Sequence, residues 1–364
     1  MHISELETPA VIVDLDILER NLARLANYAA EHRLHLRPHT KTHKIPAIAH
    51  MQMESGCFGI TVAKSGEAAV MAEAGLDNIL IAYPIFGAAK MQRVAELARA
   101  KQITVAVDSI GTAEALSAAA HSVGSTVNLL VENDVGMRRC GVPSPEAAFE
   151  LAAGISKLPG VRFAGITFYP GHIWLAPQEQ AGAIQAVAEH ISAVIERLGH
   201  GGFECKIVSG GSTPSAYNSH LFPMLTEIRP GTYVFNDRNT LGVGGCELSD
   251  CALRVLVTVV STAVPGRAIL DGGSKTFSMD RWFSGTREGH GLIPEAPGAL
   301  FETMSEEHGH LDITHAERAF RVGDQVTVIP NHVCACVNLH NRIWFHRQGN
   351  VEGTWEVAGR GKVQ

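Results

Sequence analysis

The segment RPHTKTHK, residues 37–44, concentrates cationic and proton-exchanging groups directly after the apolar run LHL. It holds no Asp or Glu; its ionisable residues are Arg37, His39, Lys41, His43 and Lys44. A lysine beside other cations has its charged form disfavoured, which makes its amine available for a Schiff base. Lys41 is therefore a candidate for covalent chemistry. The alternative from the residues alone is a polar strand end with solvated lysines.

Two glycine-rich segments suggest a phosphate site. They are SGGSTPS (209–215) and RPGTYVFND (229–237). Backbone N–H groups and small hydroxyls in such loops can surround an anion, although a single glycine turn is a weak indication. A Schiff-base lysine together with a phosphate site indicates pyridoxal phosphate.

Two further residues have the chemistry to contact such a cofactor. Arg139, in VENDVGMRRCGV (131–142), could lie near the pyridine nitrogen and limit protonation of the ring, or could simply begin a helix. Tyr169, before PGH (170–172), could flank the ring or belong to the core.

The segment PNHVCACVNLH, residues 330–340, contains imidazole and thiol groups, the ligand pair that zinc prefers. On a predicted strand, His332, Cys334 and Cys336 share one face. Three alternatives remain open from the residues: a catalytic metal, cysteines packed in a core without metal, or a structural zinc bound by His332, Cys334, Cys336 and His340.

The elements that must position these residues alternate between short apolar runs and Ala/Glu/Leu-rich stretches of helical period. Eight strands are predicted, at 34–39, 58–62, 78–83, 103–108, 126–132, 163–169, 206–211 and 232–237. Eight such units imply a (β/α)8 TIM-type barrel, with function at the carboxyl ends of the strands and phosphate bound after strands seven and eight. An open doubly wound sheet is the alternative.

From about residue 250 the pattern changes to strands and turns with little helix. This predicts a smaller, mostly β domain, joined by the N-terminal strand AVIVD (10–14). We expect the pyridoxal-phosphate-binding barrel over residues 15–245, and the β domain with the metal-site motif over residues 1–14 and 246–364.

Composition limits the class of protein. The net charge of −7 over 364 residues, without a Lys/Arg-rich block, argues against a nucleic-acid partner. No apolar run approaches membrane-spanning length, and the N-terminus lacks a signal core, so we expect a cytoplasmic protein. The seven scattered cysteines do not suggest a disulfide framework.

Taken together and in order, the motifs resemble the D-threonine aldolase and D-serine dehydratase family of fold-type III pyridoxal-phosphate enzymes. The resemblance extends over nearly the whole chain, through ETPA (7–10), LRPHTKTHK, DVGMRRCGV, GGSTPS, IRPGTYVF, EEHG (306–309) and PNHVCACVNLH. It implies that Lys41 holds the cofactor, that Arg139 lies on the pyridine side, and that Tyr169 flanks the ring. The remaining implied cofactor residues are His39, Gly211, Ser212, Thr213, Gly231, Thr232 and Tyr233.

By the same resemblance, His332 and Cys334 bind a divalent metal beside the cofactor, zinc rather than manganese or magnesium, and the protein is a homodimer. The substrate would be a D-3-hydroxy amino acid: D-serine, D-threonine or D-3-hydroxyaspartate. No role follows for Cys336, His340 or the Glu307–His308 pair.

Departures from the family pattern bear on the reaction. The aldolases carry H-x-Asp at the metal, whereas this chain carries His332-x-Cys334, as the dehydratases do. The aldolase histidine six residues after the tyrosine is Leu175 here, and His172 is the nearby substitute as a catalytic base. Yet VNLH and STAVPGRAILDGGSK (261–275) look more like the aldolase branch. We expect dehydration to a keto acid and ammonia, with Lys41 taking the Cα proton.

There are three alternatives to a dehydratase. Retro-aldol cleavage to glycine and an aldehyde is the main alternative. An amino-acid racemase is disfavoured because no tyrosine follows Tyr233. A non-catalytic cofactor carrier is disfavoured by the second domain.

Overall fold

The computed structural model describes residues 1–282 and 289–364. Its strands, in chain order, are β1 (Ala10–Asp14), β2 (His35–Leu36), β3 (Ile60–Val62), β4 (Ile79–Ile81), β5 (Ile103–Val107), β6 (Val127–Asn133), β7 (Val161–Phe168), β8 (Ile207–Gly210), β9 (Glu227–Ile228), β10 (Leu253–Ser261), β11 (Arg267–Leu270), β12 (Gly291–Leu292), β13 (Leu300–Met304), β14 (Gly309–Asp312), β15 (Gln325–Pro330), β16 (Arg342–Arg347) and β17 (Asn350–Glu356).

The α-helices are numbered in the same way. They are α1 (Leu15–Glu31), α2 (Pro46–Glu54), α3 (Ser65–Glu73), α4 (Ala88–Leu97), α5 (Ile110–Ser122), α6 (Pro145–Ile155), α7 (Ala181–His200), α8 (Arg238–Gly242), α9 (Ser274–Phe277) and α10 (Val333–Leu339). Within the described residues, no helix is long and apolar enough to cross a membrane.

The chain forms two compact units. The barrel unit comprises residues 24–41, 46–231 and 361–364, and the β unit comprises residues 1–23, 42–45 and 232–360. The units therefore divide inside α1 and before Thr232, rather than at the predicted positions 14/15 and 245/246. The segment before β10 is tied to the β unit, because Ala252 N donates to Phe235 O at 2.7 Å and Asn239 N donates to Asn331 O at 3.2 Å.

The barrel unit contains a parallel sheet in the order β2-β9-β8-β7-β6-β5-β4-β3. A parallel bridge joins His39, beyond β2, to Thr61 of β3, so the two edge strands also meet. β5 and β6 are buried along their whole length, as the continuous apolar runs predicted for a sheet covered by helices. The structure confirms the (β/α)8 class and excludes the open sheet.

The predicted eighth strand is wrong. TYVFND (232–237) is not a strand: Thr232–Val234 is a 3-10 turn, and Asp237 caps α8. The eighth strand is β9, which lies just before it. Pro230 and Gly231 end β9 after two residues, since proline has no N–H to donate to a ladder.

The β unit contains a sheet in the order β13-β14-β11-β10-β1-β16-β17, with β15 pairing both β10 and β12. The predicted strand AVIVD is β1, antiparallel to β10 and parallel to β16. β15 leads directly into α10, and this junction carries the predicted metal motif.

Candidate functional site

Three predicted residues gather at the carboxyl ends of barrel strands. Lys41 lies in the 3-10 turn Thr40–Thr42 after β2, Arg139 follows β6, and Tyr169 follows β7. The Lys41 Nζ is 5.9 Å from the centroid of the Tyr169 ring, and the Arg139 Cζ is 5.0 Å from the same centroid. Two cations thus share one aromatic ring at the end of the barrel where enzymes of this architecture act.

The loop after β7 is packed against its own tyrosine. A Cβ on Gly171 would lie 2.0 Å from Cε1 of Tyr169, so only glycine fits beneath the ring. His172 is exposed, and its ring lies against Gly136 in the loop after β6, where a Cβ would be 3.2 Å from His172 Cε1. The two glycines therefore leave room for the rings of Tyr169 and His172.

The phosphate site is predicted in the loops after β8 and β9. Gly211 has φ +91°, a left-handed conformation that favours glycine. The buried hydroxyls of Ser212 and Ser215 lie 2.9 Å apart, and Gly231 N donates to Thr213 Oγ1 at 3.2 Å. Small hydroxyls and a glycine backbone in two joined loops suit a phosphate group. The predicted Thr232 and Tyr233 lie in the next turn, within the β unit.

Arg37 departs from the prediction that RPHTKTHK is a purely positive cluster. Its Nε lies 2.9 Å from Oε2 of Glu227, with both side chains almost fully buried. Arg37 Nη1 also donates to the Asn78 backbone and side-chain oxygens at 2.7 Å, and Ser209 Oγ donates to Glu227 at 2.6 Å. The acid missing from the segment comes from β9, 190 residues away.

The other residues of the segment have separate contacts. His39 Nδ1 accepts from Lys41 N at 3.4 Å, and His43 Nδ1 accepts from Ile45 N at 3.0 Å. Lys44 is buried, and its Nζ donates to Asn338 Oδ1 at 2.7 Å. Lys41 is the exposed lysine of the segment. An exposed amine, an arginine and two glycine-containing loops with small hydroxyls therefore occur together in the barrel unit, and this set of groups fits pyridoxal phosphate.

Sequence reasoning missed two buried charged residues of the barrel. Arg229 donates from Nη1 to Ser209 Oγ at 2.5 Å and from Nη2 to Phe168 O at 3.0 Å, and burial lowers its pKa. Glu132 is the second-to-last residue of β6, and its Oε2 is buried without a hydrogen-bond partner among the described residues. Burial raises the pKa of the Glu132 carboxyl, against the opposing effect of Arg229 and Arg139.

The metal motif does not lie on a strand, so the prediction of one shared face is wrong. His332 caps the N-terminus of α10, and Cys334 and Cys336 lie on the helix, about 200° apart around its axis. Cys336 Sγ and His340 Nε2 both bond the Thr276 carbonyl, at 3.3 and 3.0 Å. The four-ligand structural zinc is therefore not assembled. Across the described ranges no group of three or more His, Cys, Asp or Glu could hold a metal.

His332 and Cys334 nevertheless remain neighbours. Cys334, aided by Asp237, holds the pKa of His332 well above its ordinary value, against the effect of burial. Cys334 Sγ lies 3.3 Å from Oγ1 of Thr42, the residue after Lys41 in the chain, and 3.8 Å from Oγ1 of Thr232.

The sequence did not indicate Asp237, the hydrogen-bond partner of His332. Asp237 Oδ2 lies 3.0 Å from His332 Nδ1, although the two are 95 positions apart in the chain. This contact occupies Nδ1 of His332, so Nε2 is the ring nitrogen that could bind a metal, with the sulfur of Cys334 as a second donor. A catalytic zinc needs only part of its ligands from the protein, because water or substrate supplies the others. The donor chemistry therefore fits zinc.

The architecture defines a fold-type III pyridoxal-phosphate enzyme, and comparisons with known proteins agree. Residues 13–239 match the family model "Alanine racemase, N-terminal domain", and residues 252–345 match "Putative serine dehydratase domain". The chain belongs to the pyridoxal-phosphate lyase family that includes the D-threonine aldolases and D-serine dehydratases.

Its relatives cover both activities of that family. The chain is 33% identical to D-threonine aldolase of Arthrobacter sp over 99% of this chain and 94% of the relative. It is 32% identical to D-threo-3-hydroxyaspartate dehydratase of Delftia sp. over 91% of each chain. The crystal structure of D-threonine aldolase from Filomicrobium marinum superposes with a TM-score of 0.92 at 33% identity, over 99% of this chain and 98% of that one.

Proposed function

We propose that this lyase dehydrates D-3-hydroxy amino acids to a keto acid and ammonia, with pyridoxal phosphate held by Lys41 and a zinc ion bound by His332 and Cys334. The observation that carries the proposal is the histidine–thiolate pair, which replaces the histidine–carboxylate pattern expected for an aldolase. Solved structures of D-threo-3-hydroxyaspartate dehydratase include a histidine-to-alanine variant and a variant with alanine for the cysteine two positions later, the latter described as metal-free. The same spacing separates His332 from Cys334.

The barrel unit would hold the cofactor through contacts that it already presents. Lys41 and Arg139 make no carboxylate ion pair within the described residues, so both cations are available to an anionic group. The loops at 211–213 and 231 would bind the phosphate. Bound pyridoxal phosphate would supply an electron sink that acidifies the Cα–H of an amino acid.

The chain's own groups would then move the protons. Lys41 Nζ would accept the Cα proton, with the Tyr169 ring limiting where the amine can lie. A bound zinc would act as a Lewis acid on the 3-hydroxyl and assist its departure as hydroxide. The amine can act as a base only while it is neutral.

Retro-aldol cleavage is the second candidate, because one observation favours it. His172, in the loop that follows Tyr169, is exposed, and its ring lies against Gly136. Cleavage to glycine and an aldehyde needs a base for the 3-hydroxyl proton, and the imidazole of His172 could supply it. The 33% identity to a D-threonine aldolase supports the same alternative.

Product analysis of the purified enzyme distinguishes the two reactions. The enzyme, supplied with pyridoxal phosphate and zinc, is incubated with D-serine, D-threonine and D-3-hydroxyaspartate in turn. Ammonia and a keto acid in equal amounts are the expected products. Glycine and an aldehyde would overturn dehydration, and a His172→Ala variant that loses this cleavage would then identify the base. Homodimerisation and a cytoplasmic location remain predictions.

A further inference from the structure

Asp237 is a buried carboxylate with four hydrogen-bond donors. Oδ1 accepts from the Thr240 backbone N at 2.8 Å and from Thr240 Oγ1 at 2.7 Å. Oδ2 lies 3.0 Å from His332 Nδ1 and accepts from Val333 N at 3.2 Å. Only about 1% of the residue is exposed. One carboxylate thus caps α8 and also bonds the first residues of α10.

The contact with His332 determines which imidazole nitrogen can bind a metal. A neutral imidazole carries one N–H, and the other nitrogen has the lone pair that a metal needs. A carboxylate oxygen only accepts, so it selects the form with the proton on Nδ1. The lone pair is then on Nε2, and the ring is held in one orientation by the buried carboxylate.

We infer that Asp237 is the positioning residue of the metal site: it fixes the tautomer and orientation of His332 so that Nε2 and the Cys334 thiolate bind one divalent cation. The inference rests on the metal pair of the proposed function. Because the same carboxylate bonds Val333 N, it also sets the start of the helix that carries Cys334. Asp237 therefore acts on both ligands without itself binding the metal.

Substitution by asparagine separates this role from helix capping. Asparagine caps helices about as well as aspartate, and its amide oxygen would stay with Thr240. The amide NH2 would then lie where Oδ2 was, facing two donors, His332 Nδ1–H and Val333 N–H. To avoid this conflict, His332 must move its proton to Nε2, which removes the lone pair from the metal-binding atom.

The test measures metal binding and not activity. Zinc affinity of the purified full-length protein is determined by competition with a chromophoric chelator, and cobalt binding is followed by its thiolate charge-transfer band. We expect Asp237→Asn to weaken both by about 10–100-fold, the usual effect of removing such a partner. Asp237→Ser, which keeps a capping hydroxyl but cannot reach His332, should lose affinity similarly.

Asp250→Asn is the matched control. Asp250 is also buried, belongs to the same unit, and accepts from Glu247 N at the start of another short helix. It should bind zinc as the unaltered protein does, with all variants giving the same circular dichroism spectrum. Unchanged zinc affinity in Asp237→Asn, alongside lost affinity in His332→Ala, would overturn the positioning role alone. Unchanged affinity in His332→Ala would instead overturn the metal site and the inference with it.

Discussion

Replacement of Gly211 by alanine tests the phosphate site through one backbone angle. Gly211 has φ +91°, and an ideal Cβ there would meet nothing closer than 3.6 Å. Space is therefore not limiting, and the effect comes from the backbone. A left-handed conformation costs an L-residue about 1–2 kcal/mol relative to glycine.

The strain should appear as weaker cofactor binding. Without cofactor the loop can relax by rotating the peptide units around residue 211, but a bound phosphate requires their N–H groups in the original direction. If the whole conformational cost of about 1–2 kcal/mol weakens cofactor binding, the dissociation constant for pyridoxal phosphate rises about 5–30-fold, since 1.4 kcal/mol is a factor of ten. Titration of the cofactor-free protein with pyridoxal phosphate, followed by absorbance, measures this directly.

Gly202→Ala provides the matched control. Gly202 has φ +83° with no heavy atom within 4 Å of an ideal Cβ, and it follows α7, at the opposite end of the strands from the proposed site. Gly202→Ala should lose stability in urea and keep wild-type cofactor affinity, whereas Gly211→Ala should lose cofactor affinity. Wild-type affinity in Gly211→Ala, or an equal loss in both variants, would refute the assignment of this loop to phosphate.

Three further predictions concern buried charge and thiols. Glu227→Leu leaves Arg37 buried without its partner and should destabilise the barrel unit by about 3–5 kcal/mol in urea unfolding. Iodoacetamide should label Cys334 faster than the fully buried Cys336, and zinc should protect Cys334, as measured by peptide mass spectrometry. Because burial raises the pKa of Glu132 in the folded state, its carboxyl stabilises the fold only at low pH, and this contribution is lost as pH rises through the folded-state pKa. Glu132→Gln should therefore gain stability relative to wild type from about pH 4 upward.

Each of these has a defined contrary result. Glu146→Leu breaks an ion pair between exposed Glu146 and half-buried Arg197 and should change stability little. An equal effect in both glutamate variants would therefore contradict the buried-pair argument. Labelling of Cys334 that zinc does not slow would contradict metal binding at that thiol. A stability difference for Glu132→Gln that shrinks with rising pH would contradict the assigned pKa direction.

The sequence predicted what depends on local pattern and on motif order. Seven barrel strands and β1 were recognisable as apolar runs, and their carboxyl ends bring Lys41, Arg139 and Tyr169 together. β9 was missed because its two residues, Glu227 and Ile228, do not form an apolar run. TYVFND looked like a strand from its β-branched and aromatic residues, but such propensities yield to tertiary context.

The remaining site residues depend on contacts between distant parts of the chain. VCACVNL alternates like a strand, yet it forms α10, capped by His332. Asp237 and Glu227 carry no local indication of a role, because their partners His332 and Arg37 lie 95 and 190 positions away. Only the fold brings these residues within hydrogen-bonding distance.

The proposed function depends most on Lys41 as the residue that holds pyridoxal phosphate. Borohydride reduction of the cofactor-loaded protein, followed by proteolysis and mass spectrometry, locates the modified lysine. We expect the reduced pyridoxyl group on Lys41 and none on buried Lys44, which donates to Asn338. We also expect Lys41→Ala to lose the visible absorbance of the bound cofactor. A pyridoxyl group on any other lysine of the unaltered protein would contradict this role of Lys41.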